Sequence, residues 1–221
     1  MSRCVPWCAA ALVLLSAVVA PFDADAKAPT TVIIKVEGSD DPKVELGTKP
    51  AFEGKRPTVD VAILLDTSNS MDGLINQAKS QLWTIVQQFA KAKKAGQTPA
   101  LRVALFEYGN MGLPASEGYI RQVVPLGDDL DKLSEALFAL TTNGGDEYCG
   151  QVINVAVKSL NWSKEPNGYK AIFIAGNEPF TQGPIDYKEA CKLAIERGIV
   201  VNTIHCGNGD VGRCGMWQDG A

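Results

Sequence analysis

The stretch "VAILLDTSNSMDGL", residues 61–74, decides how the rest of the chain reads. Its apolar run stops at Asp66, and two serines, Ser68 and Ser70, follow at alternate positions. Residues 59–65 are apolar almost throughout, which predicts a strand buried on both faces. From Asp72 onward the period changes. Leu74, Ala78, Leu82, Ile85, Val86 and Phe89 recur at three- and four-residue steps, so an amphipathic helix is expected, ending in the Lys-rich "KAKKAG" with Gly96 as its stop. A buried strand therefore ends in one carboxylate and two hydroxyls just before a helix begins.

The same alternation continues along the chain. "ALRVALFEY" (100–108), "YKAIFIAG" (169–176) and "IVVNTIHC" (199–206) read as further buried strands. "GYIRQVVPL" (118–126) alternates and is interrupted by Pro125, the mark of an edge strand. Helices are expected at 128–140, with acidic residues in the first turn, at 150–162 and at 186–198. Strand and helix in alternation predict an α/β fold: a doubly wound, mostly parallel sheet with helices on both faces. Ligands of such sheets bind at the carboxyl ends of the strands, near the point where the strand order reverses. Asp66 stands at that end of the first strand. After Cys206 the sequence "GNGDVGRCGMWQDGA" is Gly-rich and predicts no final helix, so either the sheet lacks its last cover or the amino-terminal arm supplies it.

The first 26 residues have the pattern of a secretory leader: Arg3, an apolar segment over 9–20, and the small-x-small site Ala24-Asp25-Ala26. That apolar segment is short for a bilayer span, and no later stretch is apolar enough to be one. The sequence thus predicts an exported protein, periplasmic or secreted, with a strand and linker arm at 27–57 and one domain at 58–221. Removal of Arg3, Asp23 and Asp25 with the leader takes 21 basic and 25 acidic side chains to 20 and 23, a net charge of −3. There is no basic stripe, so nucleic acid is not expected as a partner. Four cysteines follow the leader: Cys149, Cys191, Cys206 and Cys214. An even number in an exported chain favours disulfides, and no pair has the close spacing of zinc ligands. Cys149–Cys206 and Cys191–Cys206 both suit the expected topology.

Asp66, Ser68 and Ser70 form D-x-S-x-S. In a loop leaving a strand, alternate side chains can turn toward one point. One carboxylate with two neutral hydroxyls is a hard oxygen set, suited to Mg²⁺, Mn²⁺ or Ca²⁺. An ion held by so little ligand charge stays electrophilic and can accept an acidic group from outside. The competing reading is helix capping by Ser70 or Asp72.

"VDVAILLDTSNSM" resembles the start of a von Willebrand factor A domain with its metal-ion-dependent adhesion site, and the likeness extends over about 59–221. The resemblance implies a Rossmann-like sheet with one antiparallel edge strand and a divalent cation held first by the D-x-S-x-S loop. It implies a second-loop ligand from "LTTNGGDEYCGQVI", where Thr142 and Asp146 are the candidates; Asp146 is favoured because it follows Gly144 and Gly145. The third loop departs from the family's Thr-Asp-Gly. In "FIAGNEPF", Gly176 stands where the aspartate belongs, with Asn177 and Glu178 nearby.

These readings predict a binding module that engages an acidic group of a protein partner through a divalent cation, with no catalytic residues. A metal-free scaffold held by disulfides is the alternative, and a metal-dependent hydrolase using Glu147, Glu178 or His205 is a more distant one. His205, the sole histidine, has no G-x-S-x-G elbow to serve and reads as structural.

Overall fold

A computed structural model describes residues 56–93, 96–166 and 168–207. The predicted leader, all of the predicted 27–57 arm except its last two residues, Cys214 and the question of a final helix lie outside the described residues. Along the chain run β1 (Thr58–Asp66), α1 (Ile75–Lys91), β2 (Ala100–Tyr108), β3 (Ile120–Gly127), α2 (Leu130–Ala139), α3 (Cys149–Ser159), β4 (Tyr169–Gly176), α4 (Tyr187–Glu196) and β5 (Val200–His205). The five strands form one sheet in the order β3-β2-β1-β4-β5. β1 pairs in parallel with both β2 and β4, β4 pairs in parallel with β5, and only β3 runs antiparallel, against β2.

β1 is central, and its side chains alternate between two cores. Val61, Ile63 and Leu65 pack on one face with Leu82 and Val86 of α1 and Leu133 and Leu137 of α2. Ala62 and Leu64 pack on the other with Val152 and Ile153 of α3 and Ala190 and Ala194 of α4. A strand covered on both sides must be apolar at both parities, which is why 61–65 reads as an unbroken run. At the edge, Pro125 lies between the paired residues Val124 and Gly127, where the register against β2 shifts. A residue without an N–H is tolerated at such a bulge on an outer strand.

Both ends of α1 differ from the sequence reading: it ends at Lys91, short of Gly96, and it starts later than expected. α1 starts at Ile75 and not at Asp72, because a short 3₁₀ turn, Asn69–Met71, and Gly73 at φ 79° intervene. That turn keeps Ser68 and Ser70 out of the helix and over the end of β1. Of α1's buried residues, Lys79 is the unexpected one, with 3% exposure. Its Nζ donates to the carbonyls of Phe138 (3.3 Å) and Leu140 at the end of α2. A cation there satisfies terminal carbonyls and the negative end of the helix dipole. The strand order reverses between β1 and β4, so the switch point lies beside Asp66.

Candidate functional site

The carboxyl ends of β1, β2 and β4 place Asp66, Tyr108 and Gly176 side by side; Asp66 is paired with Tyr108 in the register of β1 and β2. Asp66 is fully buried, as is Thr67, and Ser68 nearly so. The backbone N–H of Ser68 donates to Asp66 Oδ1 at 2.8 Å. Asp66 Oδ2 is buried and has no hydrogen-bond partner within the protein. A buried carboxylate oxygen without a donor is costly, and such an orphan calls for a proton or a cation.

The hydroxyls add to this shortage of protons. Ser70 Oγ donates to Asn177 Oδ1 at 2.8 Å. Ser68 Oγ lies 2.9 Å from Ser70 Oγ and within hydrogen-bonding reach of the carboxylates of Asp66 and Glu147. A serine has one hydroxyl proton, so Ser68 cannot serve all three acceptors. Two carboxylates, two hydroxyls and an amide oxygen therefore gather with too few protons among them. Burial pushes the Asp66 carboxyl up to about 7; hydrogen bonds from Ser68 and from the backbone of Asn177 oppose the rise, and the charge of Glu147 adds to it. Burial also raises Glu147, against hydrogen bonds from Gln182 and Ser68.

Glu147 is the carboxylate that the sequence reading did not place in the ligand set. It is buried, and Gln182 Nε2 donates to its Oε2 at 2.7 Å. Asp146, the favoured second-loop candidate, is exposed, and its Oδ2 accepts from the Tyr148 hydroxyl at 3.2 Å. Thr142, the other candidate, hydrogen-bonds through its Oγ1 to Asp72. The structure thus brings Asp66, Ser68 and Ser70 together and leaves Asp146 and Thr142 outside that group. The reason is the path of the loop. A Cβ on Gly145 would sit 2.5 Å from the carbonyl oxygen of Gly109, so the loop presses against the 109–111 backbone and turns the next-but-one residue inward. The glycine pair serves backbone packing, and the side chain delivered is that of Glu147. The adjacent acidic residues in "GGDE" were the available signal, but a loop without a period does not reveal which of two neighbours faces in.

Asn177 was also missed. Its Oδ1 accepts from Ser70 Oγ, and its Nδ2 donates to the Ser70 carbonyl at 2.9 Å. It is buried and clamps the D-x-S-x-S loop onto the end of β4. The chemistry of this donor set fits a hard dication: oxygen ligands only, an orphaned carboxylate oxygen and a local excess of acceptors. Among the described residues no group of three or more His, Cys, Asp or Glu side chains forms a metal cluster. A site built largely from hydroxyls and an amide does not need one.

The expected disulfides are corrected by the structure. Cys149 and Cys206 are free thiols, and no disulfide joins Cys191 to either. Cys149 and Cys191 pack in the core beneath α3 and α4, whereas Cys206 packs with the core on the opposite face of the sheet. Strand topology had put Cys149, Cys191 and Cys206 on one rim but could not say which face each would join. Cys149 Sγ instead lies 3.8 Å from the Tyr108 hydroxyl. His205 is aligned with Gly176 across β4 and β5.

The sequence profile of the von Willebrand factor type A domain matches residues 60–213. The chain belongs to that family. Most VWA domains are non-enzymatic binding modules, typically bearing a metal-ion-dependent adhesion site that takes a divalent cation. Solved structures agree on the fold. Proximal thread matrix protein 1 from the mussel byssus is 16% identical, with a TM-score of 0.54, covering 70% of this chain and 37% of that one. A second structure of the mussel protein is described as having a zinc-occupied MIDAS motif. The SpRpn10 VWA domain is 17% identical, with a TM-score of 0.53, covering 74% of this chain and 82% of that one. The pilus adhesin SpaC from Lactobacillus rhamnosus GG, in its open conformation, is 14% identical with a TM-score of 0.50, covering 68% and 24%. The chain therefore spans little more than a third of the mussel protein it matches. No curated protein matches it. Among the described residues no helix is long and apolar enough to cross a membrane.

Proposed function

We propose that this VWA domain holds a hard divalent cation through Asp66, Ser68 and Ser70, with Glu147 as the second carboxylate. The ion's open position would take an acidic side chain of a protein partner. The observation that carries this reading is the imbalance at the end of β1: Asp66 Oδ2 is buried without a donor, and Ser68 has one proton for three acceptors. Ser70 supports it, because its proton goes to Asn177 and its lone pairs are left for an ion. When bound, the cation supplies a Lewis-acidic point for a carboxylate. The chain's own residues fix the hydroxyls and exclude water beneath them. The leader-like pattern of residues 1–26 supports an exported location, periplasmic or secreted.

The test is thermal unfolding of the full chain in EDTA and with millimolar Mg²⁺, Mn²⁺ or Ca²⁺. A ligand at 100 times its Kd stabilises the native state by about 2.7 kcal/mol, which a melting curve resolves readily. Wild type should rise in Tm with at least one of these ions and Asp66→Ala should not. Unmoved wild-type curves with all three would overturn the cation reading. They would favour the metal-free scaffold, which the two-sided clamp of Asn177 on Ser70 could hold closed without an ion.

A further inference from the structure

We infer that the partner presents its carboxylate from a strongly basic surface, an inference that rests on the cation reading above and narrows it. Four described loops surround Asp66 at the carboxyl ends of the strands: residues 67–74, 109–119, 141–148 and 177–186. They carry Asp72, Glu117, Asp146, Glu147, Glu178 and Asp186, and no Lys, Arg or His. Asp72, Glu117, Asp146 and Asp186 are exposed, and Glu178 is partly so. The bases nearest this rim are Lys79, whose Nζ donates to the Phe138 and Leu140 carbonyls, Arg121, whose Nη2 lies 2.5 Å from Glu107 Oε1, the exposed Lys188, whose Nζ sits 5.7 Å from the centre of the Tyr187 ring, and His205 at the end of β5. The remaining described bases lie largely toward the other end of the sheet, on or near Lys91, Lys93, Arg102, Lys158, Lys164, Lys170 and Arg197. The four loops around the site thus carry charge of one sign, with the exposed Lys188 just beyond them.

A single dication draws in one carboxylate but does not cancel this rim. Within a Debye length of about 8 Å at physiological salt, exposed acids would repel a broadly acidic partner. An acidic side chain ringed by lysine or arginine meets both demands: the carboxylate goes to the ion and the bases to the rim. The buried, donorless Asp66 Oδ2 at the floor is the independent sign that the rim encloses a binding point and is more than a solvated acidic surface.

Blocked peptides provide the probes: Lys-Lys-Asp-Lys-Lys, Ser-Ser-Asp-Ser-Ser and Lys-Lys-Asn-Lys-Lys, titrated calorimetrically into the full chain with Mn²⁺ or with EDTA. In Mn²⁺ the first should bind about ten-fold or more tightly than either of the others, a gap of about 1.4 kcal/mol. Its advantage over Ser-Ser-Asp-Ser-Ser should shrink as salt rises. The double variant Glu117→Gln, Asp146→Asn changes only exposed side chains; it should lower affinity for Lys-Lys-Asp-Lys-Lys and leave Ser-Ser-Asp-Ser-Ser unaffected. If the two Asp peptides bind equally and both require Mn²⁺, the basic-surface inference is overturned while the cation reading stands. Equal binding of the Asp and Asn lysine peptides, with or without Mn²⁺, would overturn the cation reading and this inference with it. Uptake of several Mn²⁺ ions by the rim with no peptide preference would also overturn the inference, making the rim a cation sink.

Discussion

The hydroxyl of Tyr108 stands where a side chain at position 176 would have to begin: a Cβ built on Gly176 falls 2.6 Å from Tyr108 Oη and 2.9 Å from Asp66 Oδ2. Tyr108 is fully buried, and its hydroxyl donates to the Ala175 carbonyl at 3.3 Å. The departure from the family's third-loop aspartate is thus tied to the filling of that space from β2. Gly176→Ala should destabilise the domain by roughly 1–3 kcal/mol, the usual cost of forcing atoms into a packed interior. Tyr108→Phe should recover part of that loss, with a coupling energy of about 0.5 kcal/mol or more in a double-mutant cycle measured by urea unfolding. Gly176→Asp alone should not strengthen cation binding. An additive cycle would show that Tyr108 is not what excludes a side chain there.

Asp66 predicts a pH dependence opposite to that of an ordinary ion-paired carboxylate. Its folded value, about 7, lies above the unfolded value near 3.8. Between those two pH values the native state binds the extra proton, so this group's contribution to metal-free stability falls as pH rises through that window and levels off above it. A cation competes with the proton, so affinity for Mn²⁺ should rise toward pH 7 and then flatten. Melting in EDTA and in Mn²⁺ across this range checks both slopes, and Asp66→Asn should abolish this group's share of each. A Mn²⁺ affinity that is flat with pH would contradict the proposal.

Glu147 and Asp146 are neighbours in sequence with different surroundings. Glu147→Gln keeps the shape and the contact with Gln182 but removes a charge beside Ser68, and should weaken Mn²⁺ binding by about ten-fold or more, on the scale of 1.4 kcal/mol per decade. Asp146→Asn should change it little, since the native side chain faces Tyr148. Calorimetric titration of the two variants decides between them. The reverse pattern would return Asp146 to the ligand set.

Lys79 should prove structural. Lys79→Met retains most of the volume and leaves the Leu140 and Phe138 carbonyls without their donor, so a loss of about 1–3 kcal/mol is expected. Urea unfolding reads it, and Mn²⁺ affinity should not move.

The cysteines give a chemical check. With no disulfide among Cys149, Cys191 and Cys206 and their thiols shielded to different degrees, alkylation of the native chain should be slowest at Cys149, whose thiol burial holds well above its ordinary pKa. Alkylation in denaturant followed by mass spectrometry should modify all three without prior reduction. A bridge recovered between Cys149 and Cys206 would contradict their placement on opposite faces of the sheet.

The central place of β1 in the sheet came from the strand order, whereas local pattern in the sequence was enough for the alternation of strands and helices, the edge role of β3, the two-sided burial of β1 and the gathering of Asp66, Ser68 and Ser70. Those features are periodic or local: burial on both faces writes an unbroken apolar run, Pro125 marks a bulge, and D-x-S-x-S follows directly from a strand end. Tertiary structure alone decided which acidic neighbour faces inward, that Asn177 closes the loop on Ser70, that Tyr108 excludes a side chain at Gly176, and that the thiols stay apart. Each of these depends on contacts between segments separated by 30 residues or more, such as Asn177 with Ser70 at a separation of 107. No local pattern encodes such contacts, because the packing that makes them exists only once the sheet has brought its carboxyl ends together.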